Sequence, residues 1–290
     1  MKRINNLNYK IKSLKMVESV GELWGICYEK QYVYRAWFNK YVSKFSIYLT
    51  WLLLHTPITP NQVTIIELVL VILSSAFFIF GKLQYIFIGF LILQFTNLLD
   101  CVDGEIARYR KKSSLVGAHL ENIYHQLISY LMFFPLAFGI FLYTSWKSVL
   151  IFGFLCSIFS KSIIIPNMFT TIIESRLRNN NPIKNLKRKN IKTKTSDINL
   201  QGTDTGKRLS ELYDKFKDFW AAPTNIVHLT IISIIELVNQ HYEFMPSYIL
   251  FYWYLVVYSI VIIMIQITSF VVHYKGRAAE QYYKSLFGEK

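Results

Sequence analysis

Charged residues are scarce in this 290-residue chain: they make up 17% of the sequence, against about a quarter in typical soluble domains. Cysteine is rare as well, and Cys27 and Cys156 lie far apart and match no metal-binding or redox spacing. Only 18 acidic residues oppose 32 Lys and Arg, which gives a formal net charge of +14. Hydrophobic residues, by contrast, fill 53% of the chain. This composition favours an integral membrane protein over a soluble domain.

The apolar residues cluster into runs, which predict an all-α, polytopic membrane protein with six transmembrane helices. Most of these runs are near or above the length that a bilayer requires. They cover 62–80, 85–107, 115–141, 148–172, 224–240 and 248–272. The segment 28–51 mixes aromatic and basic residues, as an interfacial amphipathic helix before the first span would. A seventh, tilted crossing is the alternative for that segment.

The same patterns predict three regions. We expect residues 1–60 to form a cytoplasmic and interfacial helical segment, 61–272 to form the six-helix transmembrane domain, and 273–290 to form a cytoplasmic tail. Within the domain, residues 177–209 are rich in Asn, Lys and Thr, which indicates a flexible basic cytoplasmic insertion.

Nearly all Lys and Arg fall in the segments that six crossings place on one side of the membrane, together with both termini. The positive-inside rule therefore predicts that the termini and the loop after Arg108 face the cytoplasm. Because these basic residues lie beside membrane spans and no nucleic-acid motif accompanies them, we expect anionic membrane lipid and no nucleic acid as the partner. The polar start of the chain also leads us to expect no removable signal peptide.

Two acidic residues at the end of the second apolar run, Asp100 and Asp103, are costly in a membrane and call for a functional explanation. At 100° per residue they share a helix face of about 140° with Gly104, Ala107 and Arg108. A short basic turn follows. In the next apolar run Gly117, Glu121 and His125 stack along one stripe at four-residue spacing. An antiparallel helix pair would bring the two groups together.

Converging carboxylates repel each other unless a cation neutralises them. Asp100, Asp103 and Glu121 are hard oxygen ligands, which suit a divalent metal ion such as Mg²⁺ or Mn²⁺. Arg108 offers a guanidinium suited to phosphate, and Gly104 and Gly117 leave space for a large ligand. The sequence therefore indicates metal-dependent phosphoryl chemistry.

The string D-x2-D-G-x2-A-R-x8-G, formed by Asp100, Asp103, Gly104, Ala107, Arg108 and Gly117, resembles the signature of the CDP-alcohol phosphotransferase family. The segment Pro60-Asn61-Gln62-Val63-Thr64 is similar to the P-N-x-x-T sequence with which those enzymes enter their first membrane helix. The resemblance implies a CDP-alcohol donor, a lipid or small alcohol as acceptor, divalent metal, and release of CMP. It also implies that Asn61, Thr64 and Ala107 contribute to substrate binding. Phospholipid biosynthesis is the leading expectation, and a head-group transferase for a glycolipid or polysaccharide is the next.

The chain departs from the family pattern at the end of the motif, where the family reads G-x3-D-x3-D and this sequence has Glu121 and His125. Glu121 can still ligate a hard metal. Imidazole is a weak Mg²⁺ ligand but a good general base near neutral pH, so we interpret His125 as the catalytic base. A role as metal ligand, or as a packed helix histidine, is the alternative. Lys161, inside the fourth run, either binds an acceptor phosphate or extends to the membrane surface.

Two other classes of protein stay open at this point. A cation transporter would use the same acidic residues, and a non-catalytic relative would bind CDP compounds without releasing CMP. The sequence also leaves open whether the chain forms a homodimer.

Overall fold

The structure is a computed structural model that describes residues 19–28, 37–112, 114–160, 212, 215–221 and 223–275. Within these ranges the chain is helical, with short turns and no β-strand, so the prediction of an all-α fold holds there. The helices with defined bounds are α1 (Val20–Tyr28), α2 (Trp37–Leu54), α3 (Pro60–Ile79), α4 (Leu83–Tyr109), α5 (Leu115–Thr144), α6 (Lys147–Phe159), α7 (Thr224–Tyr242) and α8 (Ile249–Lys275).

Among the described residues, four helices are long and apolar enough to cross a membrane, as expected for an integral membrane protein. They are α3, α4, α5 and the part of α8 from Ile249 to Val271. The other two predicted spans are not confirmed. Helix α6 has 13 residues, and the remainder of the run 148–172 lies outside the described residues. Helix α7 has 19 residues, but it buries the polar residues Asn225, Glu236 and Asn239. Six crossings therefore stay a prediction.

Capping groups define where α3 and α5 begin. Thr59 and Gln62 form a capping box, in which the Thr59 backbone N–H donates to the Gln62 side chain at 2.8 Å and Pro60 follows at the first helical position. The Ser114 hydroxyl accepts a hydrogen bond of 2.9 Å from the backbone N–H of Gly117. These caps fix the N-terminal ends of α3 and α5, the two helices that carry Thr64 and Glu121.

Glycine permits a close approach where α3 turns into α4. Gly81 has φ +72°, which is a left-handed conformation that glycine adopts without steric cost. A Cβ atom at Gly139 of α5 would lie 2.0 Å from the carbonyl oxygen of Phe78, so α5 contacts the end of α3 backbone to backbone. Helices α3, α4 and α5 consequently pack as one tight group, and α3 contacts both of the others.

The N-terminal helices are attached to α4 through Glu105, which is fully buried. Its carboxylate accepts hydrogen bonds from Tyr28 of α1 and from Ser46 and Thr50 of α2, the last at 2.6 Å. The opposite face of α2 exposes large apolar and aromatic side chains, namely Tyr41, Phe45, Tyr48 and Leu52. A polar inner face and an apolar outer face are typical of a helix in contact with lipid. The interfacial position of this helix itself stays a prediction.

Candidate functional site

Asp103 lies where α3 and α4 meet. Its Oδ2 atom accepts a hydrogen bond of 2.8 Å from the hydroxyl of Thr64, which lies one turn into α3 and is buried. Thr64 also donates toward the Pro60 carbonyl at 3.3 Å, as a helix threonine commonly does. The contact places Asp103 beside the first turn of α3, the segment that the sequence associates with substrate binding.

His125 of α5 faces Asp100 across the helix pair. Its Nε2 atom is 3.5 Å from Asp100 Oδ1 and 3.9 Å from Glu121 Oε1. Both distances are longer than an ideal hydrogen bond, so they place the imidazole beside the two carboxylates without a short hydrogen bond between these atoms. The His125 side chain is 37% exposed and Glu121 is 57% exposed, which leaves this side of the cluster open to molecules from outside the helix group.

Arg108 carries donors that are available for an anion. Its Nε and Nη2 atoms are buried, and neither has a hydrogen-bond partner within the described part of the chain. The guanidinium lies over the ring of Tyr28, with 5.8 Å between Cζ and the ring centroid. A Cβ atom at Gly104 would lie 3.2 Å from the nearest Arg108 nitrogen, so the glycine leaves space for the guanidinium. This geometry suits an arginine that binds phosphate oxygens.

Gly117 allows α5 to begin beside Asn61. A Cβ atom at Gly117 would lie 2.7 Å from Asn61 Oδ1 and 3.1 Å from Ser114 Oγ. The space that we expected at this glycine is therefore next to the amide of Asn61. Ala107 is half-buried on α4, and its carbonyl accepts a hydrogen bond of 3.0 Å from the Lys112 backbone N–H. Lys161, the remaining predicted binding residue, lies outside the described residues.

Two residues that the sequence analysis did not select belong to the same region. Glu67 of α3 is fully buried, and the negative charges of Asp103, Asp100 and Glu121 all act on it. It is a single acidic residue within the apolar run 62–80, which is a signal that could have identified it.

Arg110, just after α4, donates hydrogen bonds to the carbonyl groups of Ile58 and Thr56, the latter at 2.9 Å. These hydrogen bonds anchor the loop before α3. Partial burial lowers the pKa of the Arg110 guanidinium.

The donor chemistry of the cluster fits a hard divalent metal ion. Asp100, Asp103 and Glu121 offer carboxylate oxygens from facing helices, and oxygen ligands are what Mg²⁺ and Mn²⁺ prefer. As positioned, however, no three Asp, Glu, His or Cys side chains of the described residues form a ready-made metal cage. The residue types therefore fit such an ion, but their side chains as positioned do not enclose one.

A comparison with protein families finds a match over the part of the chain that contains this cluster. Residues 57–196 match the family described as CDP-alcohol phosphatidyltransferase, so the chain carries a domain of that family. The matched region begins just before Asn61 and includes the whole of α3, α4 and α5. The family implies membrane transferase activity with a CDP-alcohol as donor and an alcohol as acceptor. No curated protein matches the chain.

Proposed function

We propose that this protein is a metal-dependent membrane transferase that displaces CMP from a CDP-alcohol with the hydroxyl group of an acceptor alcohol. The products are a phosphodiester and CMP. The observation that supports this most strongly is the pairing inside the family domain, where the imidazole of His125 lies 3.5 Å from Asp100 and 3.9 Å from Glu121. Acidic ligands and a potential base thus meet at one point between two membrane helices.

Asp100, Asp103 and Glu121 are the residues that would hold the metal ion. When bound, a Mg²⁺ or Mn²⁺ ion would supply positive charge to neutralise the donor diphosphate and to stabilise CMP as the leaving group. The buried hydroxyl of Thr64 keeps one oxygen of Asp103 oriented by its 2.8 Å hydrogen bond. Such an outer contact commonly fixes the rotamer of a ligating side chain.

His125 accepts the proton of the acceptor hydroxyl at its Nε2 atom. The hydroxyl oxygen attacks the phosphorus of the phosphate linked to the donor alcohol, and the bond from this phosphorus to CMP breaks. The exposure of this side chain gives an acceptor access to it. The carboxylates of Asp100 and Glu121 near the same nitrogen would stabilise the imidazolium that forms. General base catalysis of this kind typically contributes about 10²–10⁴-fold in rate.

Arg108 orients the donor by binding phosphate oxygens through the two nitrogens that have no hydrogen-bond partner among the described residues. Asn61, which lies at the start of α3 and beside Gly117 of α5, holds the nucleotide part of the donor. Because both groups lie at the end of the helix pair from which the basic turn 109–114 continues, the donor enters from that side. By the positive-inside rule this side is the cytoplasm, which contains soluble nucleotides. We assign the reaction to phospholipid biosynthesis, with a membrane phospholipid as the phosphodiester product.

The proposal is tested by release of CMP from labelled CDP-alcohols. Purified protein in lipid nanodiscs is supplied with Mg²⁺ or Mn²⁺, a panel of donors and a lipid extract, and CMP and lipid-bound label are measured together. Wild-type protein should release CMP and form an equal amount of labelled phosphodiester. In sealed liposomes, ion flux without CMP release would instead identify a cation transporter, and binding of CDP compounds without turnover would identify a non-catalytic relative.

Replacing His125 tests the assigned base. His125→Ala should lower the rate of CMP release by about 10²–10⁴-fold if the imidazole acts as general base. His119→Ala is the matched control, since His119 lies on the same helix with an exposed side chain but six residues earlier, on another face. A His125→Ala variant as active as His119→Ala would contradict the role given to His125.

A further inference from the structure

Glu67 of α3 is a buried carboxylate for which the described residues provide no hydrogen-bond donor. Its side chain is fully buried, and neither Oε1 nor Oε2 has a hydrogen-bond partner among the described residues. Glu105, which is equally buried, receives hydrogen bonds from three hydroxyl groups. The contrast matters because burying a charged carboxylate without compensating contacts costs roughly several kcal/mol, even after the surrounding protein has relaxed.

Helix geometry directs Glu67 toward the site. It follows Thr64 by one turn on the buried face of α3, and Thr64 is hydrogen-bonded to Asp103. The negative charge of Asp103 acts on Glu67 most strongly, followed by those of Asp100 and Glu121. The Tyr124 side chain of α5 is also buried, and the carboxylates of both Asp100 and Glu67 act on it electrostatically.

The charged side chains that act on Glu67 are the carboxylates of Asp103, Asp100 and Glu121. No hydrogen-bond donor of the described residues reaches either oxygen of Glu67, so what would stabilise its ionised form is a positive ion shared with the neighbouring carboxylates. A divalent ion suits the position because Glu67 and Asp103 offer hard oxygens from two different helices.

We propose that Glu67 is an additional ligand of the divalent metal ion, contributed by α3, and that it acts together with Asp103 and Asp100. This inference rests on the proposed metal-dependent function. In this arrangement Thr64, one turn before Glu67, orients Asp103, and carboxylates of α3, α4 and α5 would all serve as ligands. The metal site therefore extends one helical turn deeper than the motif on α4 and α5 indicates.

Binding of Mn²⁺ tests the assignment independently of turnover. Protein in nanodiscs is titrated with Mn²⁺, and free Mn²⁺ is followed by electron paramagnetic resonance. Glu67→Gln should weaken Mn²⁺ binding by about 10-fold or more, since even outer contacts of metal sites change affinity by 10–100-fold. The rise in melting temperature that Mn²⁺ produces in the wild type should be largely lost in this variant. Unchanged affinity in Glu67→Gln would overturn the assignment.

Glu105→Gln is the matched control because it removes the same charge from an equally buried site that has its own hydroxyl donors. This variant should melt at a lower temperature without Mn²⁺ but should keep the Mn²⁺ affinity of the wild type within about twofold. If Glu105→Gln weakened Mn²⁺ binding as much as Glu67→Gln, loss of any buried charge would explain the effect and the assignment would be wrong.

A measurement on the wild type avoids any failure of the variants to fold. A hydrophobic carbodiimide modifies carboxyl groups in apolar surroundings, and mass spectrometry of the digested protein locates the adducts. Saturating Mn²⁺ should protect Glu67 from modification, and equal modification with and without Mn²⁺ would overturn the inference. If the wild type binds Mn²⁺ and releases CMP while Glu67 proves irrelevant, only this inference fails. If the wild type does neither, the proposed function fails and this inference fails with it.

Discussion

Replacing Gly117 with alanine tests how closely α5 must approach α3 at the site. The added Cβ atom would lie 2.7 Å from Asn61 Oδ1, about 0.7 Å inside the 3.4 Å at which ordinary contact begins, and 3.1 Å from Ser114 Oγ. Overpacking of this kind costs about 1–3 kcal/mol. The gain in helix propensity from glycine to alanine, at most about 1 kcal/mol, offsets part of this cost. We therefore expect Asn61 to be displaced and the protein to be destabilised by up to about 2 kcal/mol.

Gly25→Ala provides the control, since a Cβ atom at Gly25 in α1 would have nothing within 4 Å. Melting temperatures in nanodiscs and the Michaelis constant for the CDP-alcohol are measured for both variants. Gly117→Ala should lower the melting temperature and raise the Michaelis constant by about tenfold, which corresponds to 1.4 kcal/mol of lost donor binding. Gly25→Ala should keep or raise the melting temperature and leave the Michaelis constant unchanged. If the two variants behave alike, the contact between Gly117 and Asn61 does not shape the donor site.

Three further substitutions follow from the packing. Glu105→Ala should destabilise the attachment of α1 and α2 by about 3–5 kcal/mol, because three hydroxyl groups lose a common acceptor, and faster proteolysis of α1 would report it. Gly139→Ala should prevent native packing, since its Cβ would lie 2.0 Å from a backbone carbonyl, and size-exclusion profiles should show aggregation. Arg108→Lys should raise the Michaelis constant for the donor at least tenfold, because an ammonium group replaces a forked guanidinium; a wild-type value would exclude a phosphate contact.

Much of the site geometry could be predicted from residue spacing alone. The four-residue interval between Glu121 and His125 places both on one stripe of a helix, and the structure has Asp100 of the facing helix near the same imidazole. Thr59 and Pro60 at the start of α3 are a capping signal that is visible in the sequence. Local periodicity carries this information, because each of these features depends on residues within one or two helical turns.

Other features depend on which helices meet, and spacing within one helix does not encode that. Glu105 lies inside the motif, yet its three partners come from residues 55 to 77 positions earlier in the chain. Glu67 stands alone in an apolar run, so its relation to Asp103 emerges only when α3 packs against α4. The number of crossings is equally hard to predict. Helix α7 has the length of a span, yet it buries Glu236, whose carboxylate accepts hydrogen bonds from backbone N–H groups at the start of α8.

The most direct test of the transferase account is metal-dependent release of CMP by wild-type protein and by Asp103→Asn. Both proteins in nanodiscs receive a labelled CDP-alcohol, a lipid extract and Mn²⁺, and CMP is measured together with the labelled phosphodiester. The account predicts that wild-type protein forms both products in equal amounts, that removing Mn²⁺ stops the reaction, and that Asp103→Asn loses at least 100-fold in rate, roughly the scale of a lost group that acts on the transition state. Equal CMP release by Asp103→Asn, or release that persists without any divalent metal, would contradict it.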